Sequence, residues 1–227
     1  MSAFVIMKTE KSDSERKRSR PVEKPRKINM LKRNKIIVGI IVVIILIVAS
    51  IAVIYIYPKK NSNVAGGNRI AVIDTTMGTI KVELYEDKMP ITTANFIKLA
   101  NDGFYNGMIF HRIKSNFMIQ AGRYLPDGTQ KTSPYGNIPF ETSDVKHANG
   151  TISMASTGAK VGGSAEFFIC DGAQPFLDGN YAAFGVVTQG LDVVHSIASE
   201  PNDGSLEPNP GGGKPLTNIV INSITIE

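Results

Sequence analysis

The chain has 227 residues, 42% of them hydrophobic, a mean hydropathy of −0.02 and a formal net charge of +5, enough for one domain of ordinary size and an appendage. The charge is lopsided: residues 1–60 hold fourteen Lys and Arg against four acids, which leaves eleven bases and sixteen acids for residues 61–227. The basic excess therefore lies off the expected globular part, which argues against nucleic-acid binding, and a single cysteine excludes an intrachain disulfide.

In chain order, residues 1–35 are polar and rich in Lys, Arg and Ser, with Pro21 and Pro25 breaking any helical pattern, and read as a disordered tail whose bases suit anionic lipid headgroups. Ile36 to Tyr57 carry no charge. At about 1.5 Å per residue such a helix crosses a hydrocarbon core of about 30 Å, so the sequence predicts a transmembrane helix over 36–57 in contact with membrane lipid. Twelve bases precede the span and two, Lys59 and Lys60, follow it. The positive-inside rule then predicts a cytoplasmic N-terminus and an extracytoplasmic remainder. A cleaved signal peptide, with small residues at Ser50-Ile51-Ala52, is the rival reading; the long apolar stretch and the long preceding tail count against it. Residues 58–68 read as a linker, and residues 69–227 as the folded domain.

In that domain Ile70–Asp74 and Gly78–Tyr85 alternate apolar and polar positions around Thr75-Thr76-Met77, the pattern of a hairpin. Pro90 opens a helix through Asn101. Strand-like runs follow at 107–113, 117–121, 151–155, 166–170, 182–187 and 218–226, and a second helix fits Leu191–Ala198. Many short strands with two helices point to a mainly β, closed antiparallel barrel rather than a βαβ sheet. Cys170, in the run Phe167-Phe168-Ile169-Cys170, reads as an inert buried thiol. His111, His147 and His195 show no metal-ligand spacing.

Periodicity names no activity; particular residues do. Phe110-His111-Arg112-Ile113, Phe117-Met118-Ile119-Gln120-Ala121-Gly122, Ile152-Ser153-Met154-Ala155, Glu166-Phe167-Phe168-Ile169-Cys170, Phe176-Leu177-Asp178-Gly179 and Phe184-Gly185 closely resemble, in order and spacing, the signature blocks of the cyclophilins. The resemblance spans about residues 69–227. It implies an eight-stranded antiparallel barrel capped by two helices, a substrate groove on the outer face, and isomerisation of X-Pro bonds in proline-containing polypeptides without cofactor or metal; the chain is expected to act as a monomer. By the same resemblance Arg112 matches the catalytic arginine, and Phe117, Met118, Phe168 and Leu177 the wall of the proline pocket. Gln120 matches a polar neighbour of the arginine, and Ala155 and Ser156 the segment that holds the peptide extended. Phe176 and Tyr181 match groove positions and are as in many bacterial members, which makes the chain look prokaryotic-like.

The physics of the reaction suits these residue types. An X-Pro bond rotates against a barrier of about 18–20 kcal/mol because the amide is resonance-stabilised. In the twisted transition state the nitrogen becomes pyramidal and basic, and an arginine against it donates a hydrogen bond that the planar ground state cannot accept. Two departures from the resembled pattern stand out: Glu166 occupies a position commonly glutamine, and the loop 157–165 differs in sequence and length. Glu166 is expected at the groove edge, in contact with the peptide. A catalytically weak proline-binding chaperone or docking module is the alternative function, and a barrel binding a small molecule inside is disfavoured because a barrel of this size is filled by its own side chains.

Overall fold

The computed structural model describes residues 67–205 and 212–227, together with Lys35, Ile37 and Ile41. Two compact units divide the chain, Met1–Asn63 and Val64–Glu227. In the first, Lys35, Ile37 and Ile41 are helical; the expected tail 1–35 but for Lys35, and the expected span 36–57 but for Ile37 and Ile41, lie outside the described residues, as does all of the linker 58–68 but Gly67 and Asn68.

Eight strands form the second unit: β1 (Ile70–Thr75), β2 (Gly78–Leu84), β3 (Arg112–Lys114), β4 (Met118–Ala121), β5 (Thr151–Met154), β6 (Phe167–Cys170), β7 (Ala182–Gln189) and β8 (Ile221–Ile226). They make one antiparallel sheet in the order β3-β4-β6-β5-β7-β2-β1-β8. Two helices pack on it, α1 (Pro90–Asn101) and α2 (Leu191–Ala198). The hairpin β1–β2 turns on Thr76-Met77, and both helices have the bounds that the sequence predicts. Pro90 stands in the first turn of α1, where a missing N–H costs nothing. The Glu141 carboxylate accepts from the amides of Ile91 (3.1 Å) and Thr92 (2.8 Å), supplying from a distant loop the cap that Met89 cannot.

Two expectations are corrected here. The sheet is an open half-barrel and not a closed barrel: the edge strands β3 and β8 share no ladder, and near that gap there are only the isolated bridges Ile109↔Val220 and Ile113↔Gly213. The expected strand 107–113 shortens to Arg112–Lys114 because Met108, Ile109 and Phe110 are all buried and their amides divide between neighbours. Ile109 N–H bonds to Tyr124 and Phe110 N–H to Ile219, so neither side gets a continuous ladder. The second correction concerns localisation. Among the described residues no helix is long and apolar enough to cross a membrane. The 12 residues of α1 span about 18 Å against a hydrocarbon thickness of about 30 Å. That finding overturns the expected single-pass placement with an extracytoplasmic domain.

The core is built on the inward side of the curled sheet. Phe96 of α1 meets Tyr105, Phe167 and Phe184 at ring-centroid distances of 5.3–5.4 Å, and Ile113, Ile119, Ile152 and Ile169 pack in the same cluster. The outward side carries a separate cluster of Met118, Phe168, Cys170 and Leu177, against which Phe117, Ala155 and Tyr181 pack. Strand alternation sends neighbours such as Phe167 and Phe168 to opposite faces. Residues of both faces are buried, which is why β6 reads as a continuous apolar run.

Candidate active site

Strand register lines up a row of outward side chains across four strands. Arg112 on β3 faces Gln120 on β4, Gln120 faces Phe168 on β6, and Phe168 faces Ser153 on β5. Directly opposed residues put their Cβ atoms about 5 Å apart, which places each side chain beside the next. Arg112 Nη1 accordingly donates to Gln120 Oε1 at 2.8 Å. The guanidinium also lies 5.9 Å from the Phe117 ring centroid.

Arg112, Gln120 and Phe168 of this row floor a groove of about 250 Å³. Phe117 and Met118 form one wall; Phe176 and Leu177, on the 3-10 turn Pro175–Leu177, form another with Tyr181; Ala155 and Ser156 follow β5 along the rim. The Phe117 and Phe176 rings stack at 6.0 Å, and Phe168 and Tyr181 meet edge-on at 5.9 Å. Four aromatic rings and a methionine therefore converge beside one cationic donor. That shape grips a flat apolar ring and sets a permanent donor at its edge. Arg112 also borders a larger cavity of about 340 Å³ with Ile109, His111, Tyr124, Leu125 and Lys214, which has no comparable convergence of rings.

Burial pulls the Arg112 guanidinium below its ordinary pKa, opposed by electrostatic interaction with Tyr181 and Glu166, and the group stays charged at neutral pH. Glu166 does not line this groove; it borders the adjoining depression with Arg123, Asn137 and Ser164. Gln120 Nε2 donates to Glu166 Oε2 at 3.0 Å, Arg123 Nη1 donates to Oε1 at 3.1 Å, and His111 Nε2 lies 3.5 Å from Oε2. Burial pushes the Glu166 carboxyl up, but the His111 contact, the Arg123 charge and the Gln120 hydrogen bond outweigh it and hold the group below its ordinary range.

Beneath the groove, His147 is fully enclosed, with Nδ1 3.1 Å from Asp178 Oδ1 and Nε2 3.1 Å from Ser153 Oγ. An ionised Asp178 only accepts, so Nδ1 carries the hydrogen and Nε2 accepts from the serine hydroxyl. The arrangement has the connectivity of a hydrolytic triad without the access: Ser153 is 0% exposed. Its role is support, because the His147 ring stacks under Phe168 at 6.0 Å and 14°. Cys170, on the same face, has its thiol pushed up to about 12 by burial and by Asp178, as an inert core thiol should.

All the residues singled out in the sequence except Glu166 line the one groove: Arg112, Phe117, Met118, Gln120, Ala155, Ser156, Phe168, Phe176, Leu177 and Tyr181. Sequence reasoning missed Arg123, which no motif marks, and the His147–Ser153–Asp178 support. The spacing of His147 and Ser153 around β5 was its only available signal.

Residues 70–226 match the family described as cyclophilin type peptidyl-prolyl cis-trans isomerase/CLD. The chain is 44% identical to a peptidyl-prolyl cis-trans isomerase of Synechococcus elongatus over 129 residues, covering 56% of this chain and 87% of that protein. It is 40% identical to a peptidyl-prolyl cis-trans isomerase-like 1 of Aspergillus oryzae over 139 residues, 60% of this chain and 85% of the other. A crystal structure of a cyclophilin type isomerase from Cryptosporidium parvum superposes with a TM-score of 0.63 at 31% identity, covering 70% of this chain and 98% of that one. The chain belongs to the cyclophilin-type peptidyl-prolyl cis-trans isomerases and is an isomerase acting on proline-containing peptides. The relatives do not single out prokaryotic members: one from the fungus Emericella nidulans is 44% identical over 128 residues, the same identity as the cyanobacterial one.

Proposed function

We propose that the groove floored by Arg112 is where the X-Pro bond turns, with Arg112 as the catalytic residue and residues 69–227 as the whole isomerase unit. The observation that carries this is the convergence of Phe117, Met118, Phe168, Leu177 and Tyr181 beside the half-buried guanidinium. The proline ring enters the apolar wall while Ala155 and Ser156 offer backbone to the extended peptide. As the bond twists, the prolyl nitrogen loses conjugation and gains a lone pair, and a guanidinium N–H donates to it. No bond to the enzyme forms or breaks, and no proton is transferred. The Cryptosporidium parvum protein was also solved in the presence of the dipeptide Ala-Pro, a ligand of the class this groove suits. The acidic balance of residues 61–227 supports a polypeptide partner over nucleic acid, and one groove complete within one chain supports action as a monomer.

The test is exchange NMR on an Ala-Pro peptide with catalytic amounts of residues 61–227. Merging of the cis and trans proline resonances is expected, because uncatalysed exchange takes tens to hundreds of seconds. A folded fragment that binds the peptide and leaves the exchange rate unchanged favours the docking-module reading instead.

A further inference from the structure

Glu166 stands one side chain away from the groove's arginine, and the side chain between them is an amide. Gln120 receives Arg112 Nη1 on Oε1 at 2.8 Å and passes Nε2 to Glu166 Oε2 at 3.0 Å. A guanidinium has donors only, and an ionised carboxylate has acceptors only. One orientation of the Gln120 amide satisfies both neighbours; the flipped one would set donors against donors and acceptors against acceptors.

Glu166 is itself well fixed. Arg123 donates to Oε1 at 3.1 Å, His111 lies 3.5 Å from Oε2, and the Glu166 carbonyl accepts from Ala155 N–H at 2.9 Å. Gly122 lets β4 run so close that a Cβ there would stand 2.9 Å from the Glu166 Cα. Each carboxylate oxygen thus has a partner within the fold, and the group is held in place with the groove empty.

We infer that Glu166 is a positioning residue: it locks the Gln120 amide, and the locked amide holds the Arg112 guanidinium at the angle from which it meets the twisted prolyl nitrogen. The inference rests on the proposed role of Arg112. A group acting this way serves the transition state more than peptide binding, so its loss falls on kcat and spares KM.

The experiment uses the full-length protein and an Ala-Pro peptide, with kcat and KM taken from exchange NMR over a range of peptide concentrations. Glu166→Met removes the acceptor; kcat is expected to fall roughly 3- to 10-fold, the worth of one hydrogen bond, with KM within about twofold. Glu166→Gln keeps a carbonyl facing Gln120 while Arg123, 45% exposed, turns to solvent, and it restores kcat to within about twofold of the parent. The Gln120 side-chain N–H₂ and Arg112 Nε–H signals stay sharp in the glutamine variant and broaden in the methionine variant. Equal losses in both Glu166 variants, or parental kcat with unchanged signals in Glu166→Met, overturn the inference. Gln120→Met cuts the chain at its middle, and parental kcat there overturns it whatever the Glu166 variants do. Arg112→Ala separates the two readings. Full activity in that variant defeats the role of Arg112 itself, whereas its inactivity beside a fully active Glu166→Met defeats positioning alone.

Discussion

Arg112→Ala is the most informative single change. The side chain is half-buried, so a hydrogen bond it makes to the developing lone pair is only partly screened by water. A charge-assisted bond present only in the transition state is worth about 1.5–4 kcal/mol, a loss in kcat/KM of roughly 10- to 1,000-fold. The folded state loses less. The Arg112–Gln120 hydrogen bond and the 5.9 Å contact with Phe117 disappear, while every inward-facing residue keeps its packing. About 1 kcal/mol of stability, or a Tm lower by about 2–4 °C, follows for a domain of this size. Arg112→Lys keeps the charge but loses the rigid fork and the bond geometry to Gln120, and it should recover little of the rate. The assay is protease-coupled cleavage of a peptide cut only in the trans form, checked by protease-free exchange NMR, with thermal melts alongside. A large Tm drop matching the loss of activity, or an alanine variant retaining most of its kcat/KM, would refute the assignment of the barrier-lowering interaction to Arg112.

Acid should loosen the groove floor before it affects the catalytic charge. Burial holds the His147 pKa below 6.5 despite Asp178, so the unfolded chain binds the proton more readily than the fold does. The stability that neutral His147 contributes is therefore complete above about pH 6.5 and is lost as pH falls through its folded value. Asp178, held below 3.8 first by the His147 backbone amide, acts in the same direction at lower pH. Thermal melts from pH 7.5 to 5 should show Tm falling below pH 6.5, with a shallower slope in His147→Gln; an identical slope in that variant would remove His147 from the account. Gly122→Ala tests the close approach that carries Glu166. With φ at 99° and a Cβ placed 2.5 Å from the Ala165 carbonyl oxygen, it should cost about 2–3 kcal/mol and lower Tm by about 5–10 °C, and a Tm within a degree of the parent would mean that β4 can move aside freely.

Much of the site is legible in the amino-acid sequence because it is written in local blocks whose side chains face outward. The run from Phe117 to Gly122 contributes three groove residues on alternate or adjoining positions, and the order of the blocks names the reaction. Helix bounds are equally legible, since Pro90 and the apolar spacing of α1 are local signals. Barrel closure is not. Whether β3 and β8 join depends on how the neighbouring amides are shared, Ile109 with Tyr124 but Phe110 with Ile219, a division that no short window of sequence contains. The expected membrane placement also comes from a local hydropathy count, and no described helix is long and apolar enough to carry it. The duty of Glu166 shows the same division. The sequence marks it as a departure at the groove edge, where a carboxylate suggests a contact with peptide. Only the fold decides that Arg123, His111 and Gln120 reach it first, because Arg123 and Glu166 lie 43 residues apart and meet through the register of β4 with β6. A carboxylate's chemistry follows from its type, but which partners reach it is set by strand register.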